Sequence, residues 1–360
     1  VTEVLVPADP HQITPEWLEQ ALSPRYPGVR VASVEVTDVR QVTNTHSFLR
    51  VGYDAPHGAP AQMFAKMLPL DPARRVVLAA SRMGPIEVLF YQRLASHLTL
   101  RIPDVYVARH DPQDESFLLL MEDLGATNCR VPDGTWGISV DSAAAALEDL
   151  ADLHVRYEDP RRRRAEAPWA PLAIEVPPYG AASLQYGLDH HRHRLSDTFA
   201  QAAAIYIAHP DEMVARWADG PGPATVVHGD THIGNLFDDN GRTGFLDWGV
   251  INVTTPLRDA SYFINMALQI EERRTHERAL LRHYLAARLA LGGEPVGWDE
   301  AWQAHRLHAL YCVVAACSIV RFPADSSATR DVFANAFLAR VEAAIADLES
   351  LDALASARAT

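Results

Sequence analysis

Asp230, Asn235 and Asp247 are the residues whose types and spacing suit one chemistry. They stand in His228-Gly229-Asp230-Thr231-His232-Ile233-Gly234-Asn235 and, a hairpin later, in Phe245-Leu246-Asp247-Trp248. Phosphoryl transfer asks few groups of a protein. It needs a carboxylate to orient an acceptor hydroxyl and take its proton, and oxygen ligands for a Mg²⁺ that bridges phosphates. An Asp-x-x-x-x-Asn loop puts a carboxylate and an amide oxygen on one short turn, and Asp247 adds a second metal ligand. Val226-Val227 and Leu236-Phe237 are short apolar runs on either side of the polar loop. Asp238-Asp239-Asn240-Gly241 is a turn signal, and residues 243–246 form a third strand-like run that ends at Asp247. The competing reading is an ordinary turn rich in hydrogen-bonding residues.

His228-Gly229-Asp230 with Asn235 has the shape of a kinase catalytic loop, with Gly229 where protein kinases carry Arg. Followed by Asp247-Trp248, it resembles the aminoglycoside phosphotransferase family of small-molecule kinases, whose superfamily also holds choline kinases and ecdysteroid-type kinases. The resemblance covers about residues 30–270. It implies Asp230 as catalytic base and Asn235 and Asp247 as Mg²⁺ ligands, with ATP rather than GTP taken as the default donor. It also implies an α+β, bilobed, protein-kinase-like fold. A small N-terminal lobe (1–121) would hold an antiparallel sheet and helix C, 122–125 would be the hinge, and 126–360 a mainly helical lobe with the catalytic loop and the acceptor site.

Lys66 is the only lysine in the chain; every other basic side chain is arginine or histidine. A compact ammonium fits between phosphate oxygens and one carboxylate where a guanidinium fork does not. Phe64-Ala65-Lys66 resembles the Val-Ala-Ile-Lys pattern of the third kinase strand. Residues 31–39, 48–53 and 62–67 read as an antiparallel meander carrying it. Pro85–His97 reads as a helix, with Ile86, Leu89, Phe90 and Leu94 on one face. Glu87 on that helix resembles the helix-C glutamate that pairs with the strand lysine. The loop 41–47 would then cover the phosphates. It contains no glycine, so Thr43, Asn44, Thr45 and Ser47 are the side-chain donors available there, and Thr45 and Ser47 are the nucleotide contacts expected. Residues 105–108 and 117–121 are two further strands. Adenine would be held by backbone groups at Glu122 and Leu124, beside Met121.

Further along, residues 142–157 form a long helix in which His154 reads as a packed structural histidine, and Arg161–Arg164 reads as a solvated loop. Residues 168–223 alternate Pro/Gly breaks with short helical pieces, the region where such kinases build acceptor sites. His190, His191 and His193 lack a second ligand set for a metal and read as a surface helix. Asp259 reads as the N-cap of a helix over 260–270 and, by resemblance, as the structural aspartate after the metal loop. Three more helices are expected over 273–291, 298–320 and 331–354.

The length of 360 residues allows two units with sizeable cores. A formal net charge of -14 argues against nucleic-acid binding. Such a surface would suit a polycationic acceptor, though solubility explains it more simply. Cys129, Cys312 and Cys317 have neither metal nor disulfide spacing, which points to a reducing, cytoplasmic compartment. No signal-peptide pattern opens the sequence, and its most apolar run, 309–320, is too short to span a bilayer. The resemblance implies a small-molecule hydroxyl acceptor (an aminoglycoside-like antibiotic, sugar, amino alcohol or other metabolite) as partner, with the protein expected as a monomer or homodimer. A protein kinase is disfavoured, because Pro256 and Asp259 follow Asp247-Trp248-Gly249 too closely for an activation segment. A metal-dependent phosphoesterase would use Gly229-Asp230-Thr231-His232 with Asp9-Pro10-His11 and His191-Arg192-His193, but the order is wrong. A nucleotide-binding pseudokinase is the remaining alternative, against which the intact set of Lys66, Asp230, Asn235 and Asp247 argues.

Overall fold

Thr14 and Pro15 start the first helix, α1 (Pro15–Leu22), as expected. The Thr14 hydroxyl accepts from the Trp17 amide, and Pro15 takes the first position, where no amide hydrogen is needed. The computed structural model describes residues 5–172, 178–323 and 326–359. The chain divides into two compact units. The first is Val1–His97, Ile102–Arg130 and Asp247–Val250, and the second Leu98–Arg101, Val131–Leu246 and Ile251–Thr360.

The first unit is a five-stranded antiparallel sheet in the order β1-β2-β3-β5-β4, with helices on both faces. Its strands are β1 (Arg30–Gln41), β2 (Thr45–Ala55), β3 (Gln62–Met67), β4 (Val105–His110) and β5 (Phe117–Glu122). Between β3 and β4 lie α2 (Pro72–Ser81) and α3 (Met83–Arg93). Side chains alternate across a strand, and the two cores obey this. Leu18 and Leu22 of α1 pack with Leu49, Val51, Ala65 and Met67. Val88 of α3 packs with Phe117, Leu119 and Met121 on the other face, where Phe64 also lies. Lys66, between Ala65 and Met67, therefore belongs to the α3 face.

The mixed alternation read along β1 has a cause. Its pairing with β2 shifts register at three places, each a bulge or irregularity. The pairing then runs on to Gln41 opposite Thr45, so the expected loop of 41–47 shrinks to Val42, Thr43 and Asn44. Helix α2 was not expected. Asp71 caps it by accepting from the Arg74 amide, and Pro72 opens it, but none of its side chains is fully buried, and only Leu78 and Ala79 pack partly against the α3-side core. Helix α3 begins at Met83, ahead of the Pro85 expected from the sequence.

The second unit is mainly helical: α4 (Val140–Arg156), α5 (Pro160–Glu166), α6 (Pro178–His191), α7 (Asp197–Ala208), α8 (Pro210–Ala218), then α9 (Pro256–Ala267), α10 (Ile270–Ala290), α11 (Trp298–Ala315), α12 (Ala328–Asp347) and α13 (Ser350–Ala359). Its core gathers Phe199, Tyr206, Trp217, Tyr262, Leu310, Val313, Phe337 and Val341 from five of these helices. Four short strands lie in the unit: β6 (Thr225–Val227), β7 (Leu236–Asp239), β8 (Arg242–Phe245) and β9 (Asn252–Thr254). β7 and β8 form the expected hairpin, turning through Asn240 and Gly241, both at positive φ. β6 pairs with β9, a strand the sequence did not announce.

Several expectations need correcting here. The Arg161–Arg164 run is helical, because Asp159 caps it and Pro160 starts it. The Arg163 guanidinium turns back to donate to the carbonyls of Tyr157 and Glu158. The helix expected over 298–320 ends at Ala315 and continues as a 3-10 turn, Ala316–Arg321. The one expected over 331–354 breaks into α12 and α13 at Glu349, which adopts φ 47. Asp259 is no N-cap: Thr255 takes that position and Asp259 lies inside α9. Among the described residues no helix is long and apolar enough to cross a membrane.

Gly84 seats α3 on the sheet, for a Cβ there would stand 2.0 Å from the Phe117 ring of β5. We expect Gly84→Ala to lower the stability of the first unit by about 1–3 kcal/mol, the usual scale of overpacking, read as a reduced urea midpoint.

Candidate active site

In the first unit the side chain of Lys66 is buried between two carboxylates. Its Nζ lies 2.7 Å from Glu87 Oε2 and 2.9 Å from Asp247 Oδ1. Burial by itself would lower the ammonium's pKa. Asp247 and Glu87 outweigh it and raise the value above the ordinary one, so Lys66 stays charged. Glu87 is 2% exposed, and burial pushes its carboxyl up to about 7 against the pull of Lys66. Asp247 is the outer member, with 40% of its side chain exposed. One ammonium thus faces two carboxylates, and the surplus negative charge lies on the side open to solvent.

The segment around Asp247 is pinned to α3. Trp248 stacks on Phe90, ring centroids 3.9 Å apart and nearly coplanar. The Trp248 amide hydrogen-bonds Glu87, and Gly249 packs against Met83. Asp247 itself has φ 58, the left-handed region in which Asp is tolerated better than most residues.

The phosphate-loop expectation needs correction. Thr45 and Ser47 are fully buried within β2. They pair with Met67 and Ala65, which pack in the α1 core, so their side chains face away from Lys66. The Thr45 hydroxyl donates to Gln41 Oε1. The residue opposite Lys66 is His46. Its ring meets Phe64 edge-on at 4.9 Å, and burial together with the Lys66 ammonium lowers its pKa to about 4, which leaves a neutral imidazole at pH 7. Sequence reading missed His46, because placing it opposite Lys66 requires the β2–β3 register as well as strand alternation. Met121 lies on the Lys66 face, opposite Phe64. The Glu122 amide donates to Asp104 O. The Leu124 carbonyl accepts from the Thr127 hydroxyl at 2.8 Å.

In the second unit, Asp230, His232 and Asn235 share the loop between β6 and β7. Asn235 Nδ2 donates to Asp230 Oδ2 and to the Asp230 carbonyl, both at 2.9 Å, which turns the amide oxygen of Asn235 elsewhere. His232 orients the loop: its Nδ1 accepts from the Gly234 amide, and its Nε2 stands 3.5 Å from Asp230 Oδ2. The loop's own amides are satisfied largely by one buried carboxylate. Asp259 accepts from His228 N at 3.0 Å and Gly229 N at 2.9 Å, and its other close partner is His154 Nε2 at 3.2 Å. His154 also meets the Tyr284 hydroxyl at 2.6 Å. Burial pushes the Asp259 carboxyl up, but His154, His228 and the Gly229 amide more than reverse this and hold it below its usual value. Its stabilising contribution is therefore present at neutral pH and is lost on acidification below the ordinary aspartate range.

The donors for a metal fit a hard cation. In the second unit Asn235 carries an amide oxygen, and in the first unit Asp247 carries a carboxylate with 40% of its side chain exposed; each is the oxygen donor type that such a cation takes. Among the described residues no group of three or more His, Cys, Asp or Glu is placed to hold a metal ion.

Residues 71–301, more than half of the chain, match the phosphotransferase enzyme family. The protein belongs to that family and is a phosphotransferase, which removes the phosphoesterase alternative. No curated protein matches it. Choline kinase from Cryptosporidium parvum Iowa II is similar in structure, with TM-score 0.53, 9% identity and coverage of 95% of each chain. Choline kinase LicA from Streptococcus pneumoniae gives 0.49 at 13% identity, over 93% of this chain and 98% of that one. The GDP complex of aminoglycoside 2'-phosphotransferase-IIIa gives 0.49 at 13%, over 92% and 98%. At such identities the first of these speaks for the fold, which is α+β and protein-kinase-like.

Removing the Asp259 carboxylate strands His154 and two loop amides in the core. Asp259→Ala should cost about 3–5 kcal/mol, as for breaking a buried charged pair. In a double-mutant cycle by thermal unfolding, its loss should be non-additive with that of His154→Ala.

Proposed function

We propose that this phosphotransferase moves the γ-phosphoryl group of ATP, with Mg²⁺, to a hydroxyl of a small molecule. The observation that carries the reading is the solitary lysine. Lys66, among arginines everywhere else, is buried against Glu87 and Asp247, which is the ammonium arrangement that grips nucleotide phosphates.

In this reading Lys66 holds the phosphates and Glu87 holds Lys66. Asn235 and Asp247 offer the oxygen ligands for Mg²⁺. When bound, the ion neutralises charge on the phosphates. Asp230 orients the acceptor hydroxyl and takes its proton as the acceptor oxygen bonds phosphorus and the bridge to ADP breaks. The backbone at Glu122 and Leu124, beside Met121, is the proposed adenine edge. The acceptor is proposed as an alcohol of the kinds named above, met by the second unit.

An acceptor screen with ATP and Mg²⁺, read by phosphate incorporation, tests the reaction. Saturating Mg²⁺–ATP should also raise the melting temperature, since ligand at a hundredfold excess over Kd adds about 2.7 kcal/mol. A melt that ignores Mg²⁺–ATP counts against the reading. Asp230→Asn should keep ATP affinity while kcat drops by roughly two to four orders of magnitude, the scale of general acid–base catalysis. Loss of ATP binding with it would put Asp230 in the scaffold instead.

Lys66→Arg keeps the charge but brings a broad fork into a space sized for an ammonium. Turnover should fall sharply with little change in the circular-dichroism spectrum; wild-type turnover in this variant would remove the lysine argument.

A further inference from the structure

Helix α9 does more than carry Asp259. Tyr262 stands three residues further on, at the spacing that puts both residues on one helical face. Its side chain is 1% exposed, and its hydroxyl lies 3.2 Å from Asp230 Oδ1. The other oxygen of the same carboxylate, Oδ2, is taken by Asn235 Nδ2 at 2.9 Å, with His232 Nε2 at 3.5 Å. Each oxygen of Asp230 therefore meets a donor from a different element.

We propose that Tyr262 is a positioning residue for phosphoryl transfer, fixing the Asp230 carboxylate in the orientation that receives the acceptor hydroxyl. The inference rests on the reading of Asp230 as base. A carboxylate held through Oδ2 alone can rotate about its last bond and exchange its oxygens. A second donor on Oδ1 removes that freedom. Asn235 also has to serve the metal, so its grip on Asp230 is tied to ligand binding. Tyr262 has no such second duty. Burial, with the Asp230 charge adding to it, raises its hydroxyl pKa well above the ordinary value, so it remains a donor at neutral pH. The ring is itself held, meeting Tyr311 edge-on at 5.2 Å. The Tyr311 hydroxyl in turn donates to the Gly229 carbonyl at 3.1 Å. Residues acting on Asp230 thus come from α9 and from its own loop, and α11 braces both. This holds the base in place before any substrate arrives, which is how positioning contributes to rate.

Tyr262→Phe deletes only the hydroxyl. With Mg²⁺ and ATP, and water as acceptor until an alcohol is found, kcat should fall by about tenfold to a hundredfold, the range for losing a hydrogen bond to a charged group. The KM for ATP should stay at the wild-type value and the circular-dichroism spectrum should be unchanged. Adding Tyr262→Phe to Asp230→Asn should slow turnover by less than about twofold, because the two act as one unit. Unchanged kcat, an equal loss in the Asp230→Asn background, or a loss of ATP affinity in step with rate would each overturn the inference. If the wild-type protein turns over no ATP with water or with any alcohol of the acceptor screen, the proposed reaction fails on its own. The crystal structure of Tyr262→Phe then decides this inference: a rotated Asp230 carboxylate supports it, and an unmoved one overturns it.

Discussion

A buried ammonium has to be matched by negative charge or it is neutralised or expelled. That constraint organises the first unit. Lys66 reaches its site because β3 alternates it out of the α1 core and onto the α3 face. Glu87 meets it only because α3 lies close on that face, which the bare backbone of Gly84 against Phe117 permits. Asp247 joins from a remote part of the chain and is kept there by Trp248 on Phe90. Remove any of these contacts and a charge is left without its partner in a low-dielectric place.

The second unit faces the opposite problem, a polar loop whose amides have no strand to pair with. Asp259 supplies the acceptors, from a helix in which every residue is buried. His154 and Tyr284 continue the chain of partners back to α4 and α10. A buried carboxylate is costly unless each lone pair is used. Here its cost is offset by rigidity in the loop that carries Asp230, Asn235 and His232.

The turn between β1 and β2 does without glycine by being short. Pairing closes it at Gln41 and Thr45, and Arg74 of α2 donates to the Val42 carbonyl at its tip. What faces the Lys66 side is then a neutral imidazole and an aromatic pair, His46 and Phe64, with Phe48 edge-on to Phe64 at 5.5 Å. The apolar surroundings that keep His46 uncharged also strengthen the Lys66 pairs beside it.

The sequence by itself determined the order of the parts: a strand lysine, a helix glutamate, then the Asp230, Asn235 and Asp247 set with its hairpin. These are local patterns, set by turn chemistry and periodicity, and they sufficed for the family and fold class. It also determined the α1 start, since a Thr-Pro cap is a short-range signal. The tertiary structure alone decided which way strand side chains point, because bulges in β1 and the length of the β1–β2 pairing are settled between strands. That choice withdrew Thr45 and Ser47 from the Lys66 face and turned His46 toward it. Tertiary packing alone decided that Asp259 serves the loop of Asp230 and does not cap its own helix, and that Tyr262 reaches Asp230. Those contacts join residues about thirty positions apart, and no window on the sequence sees the packing of α9 that brings them together.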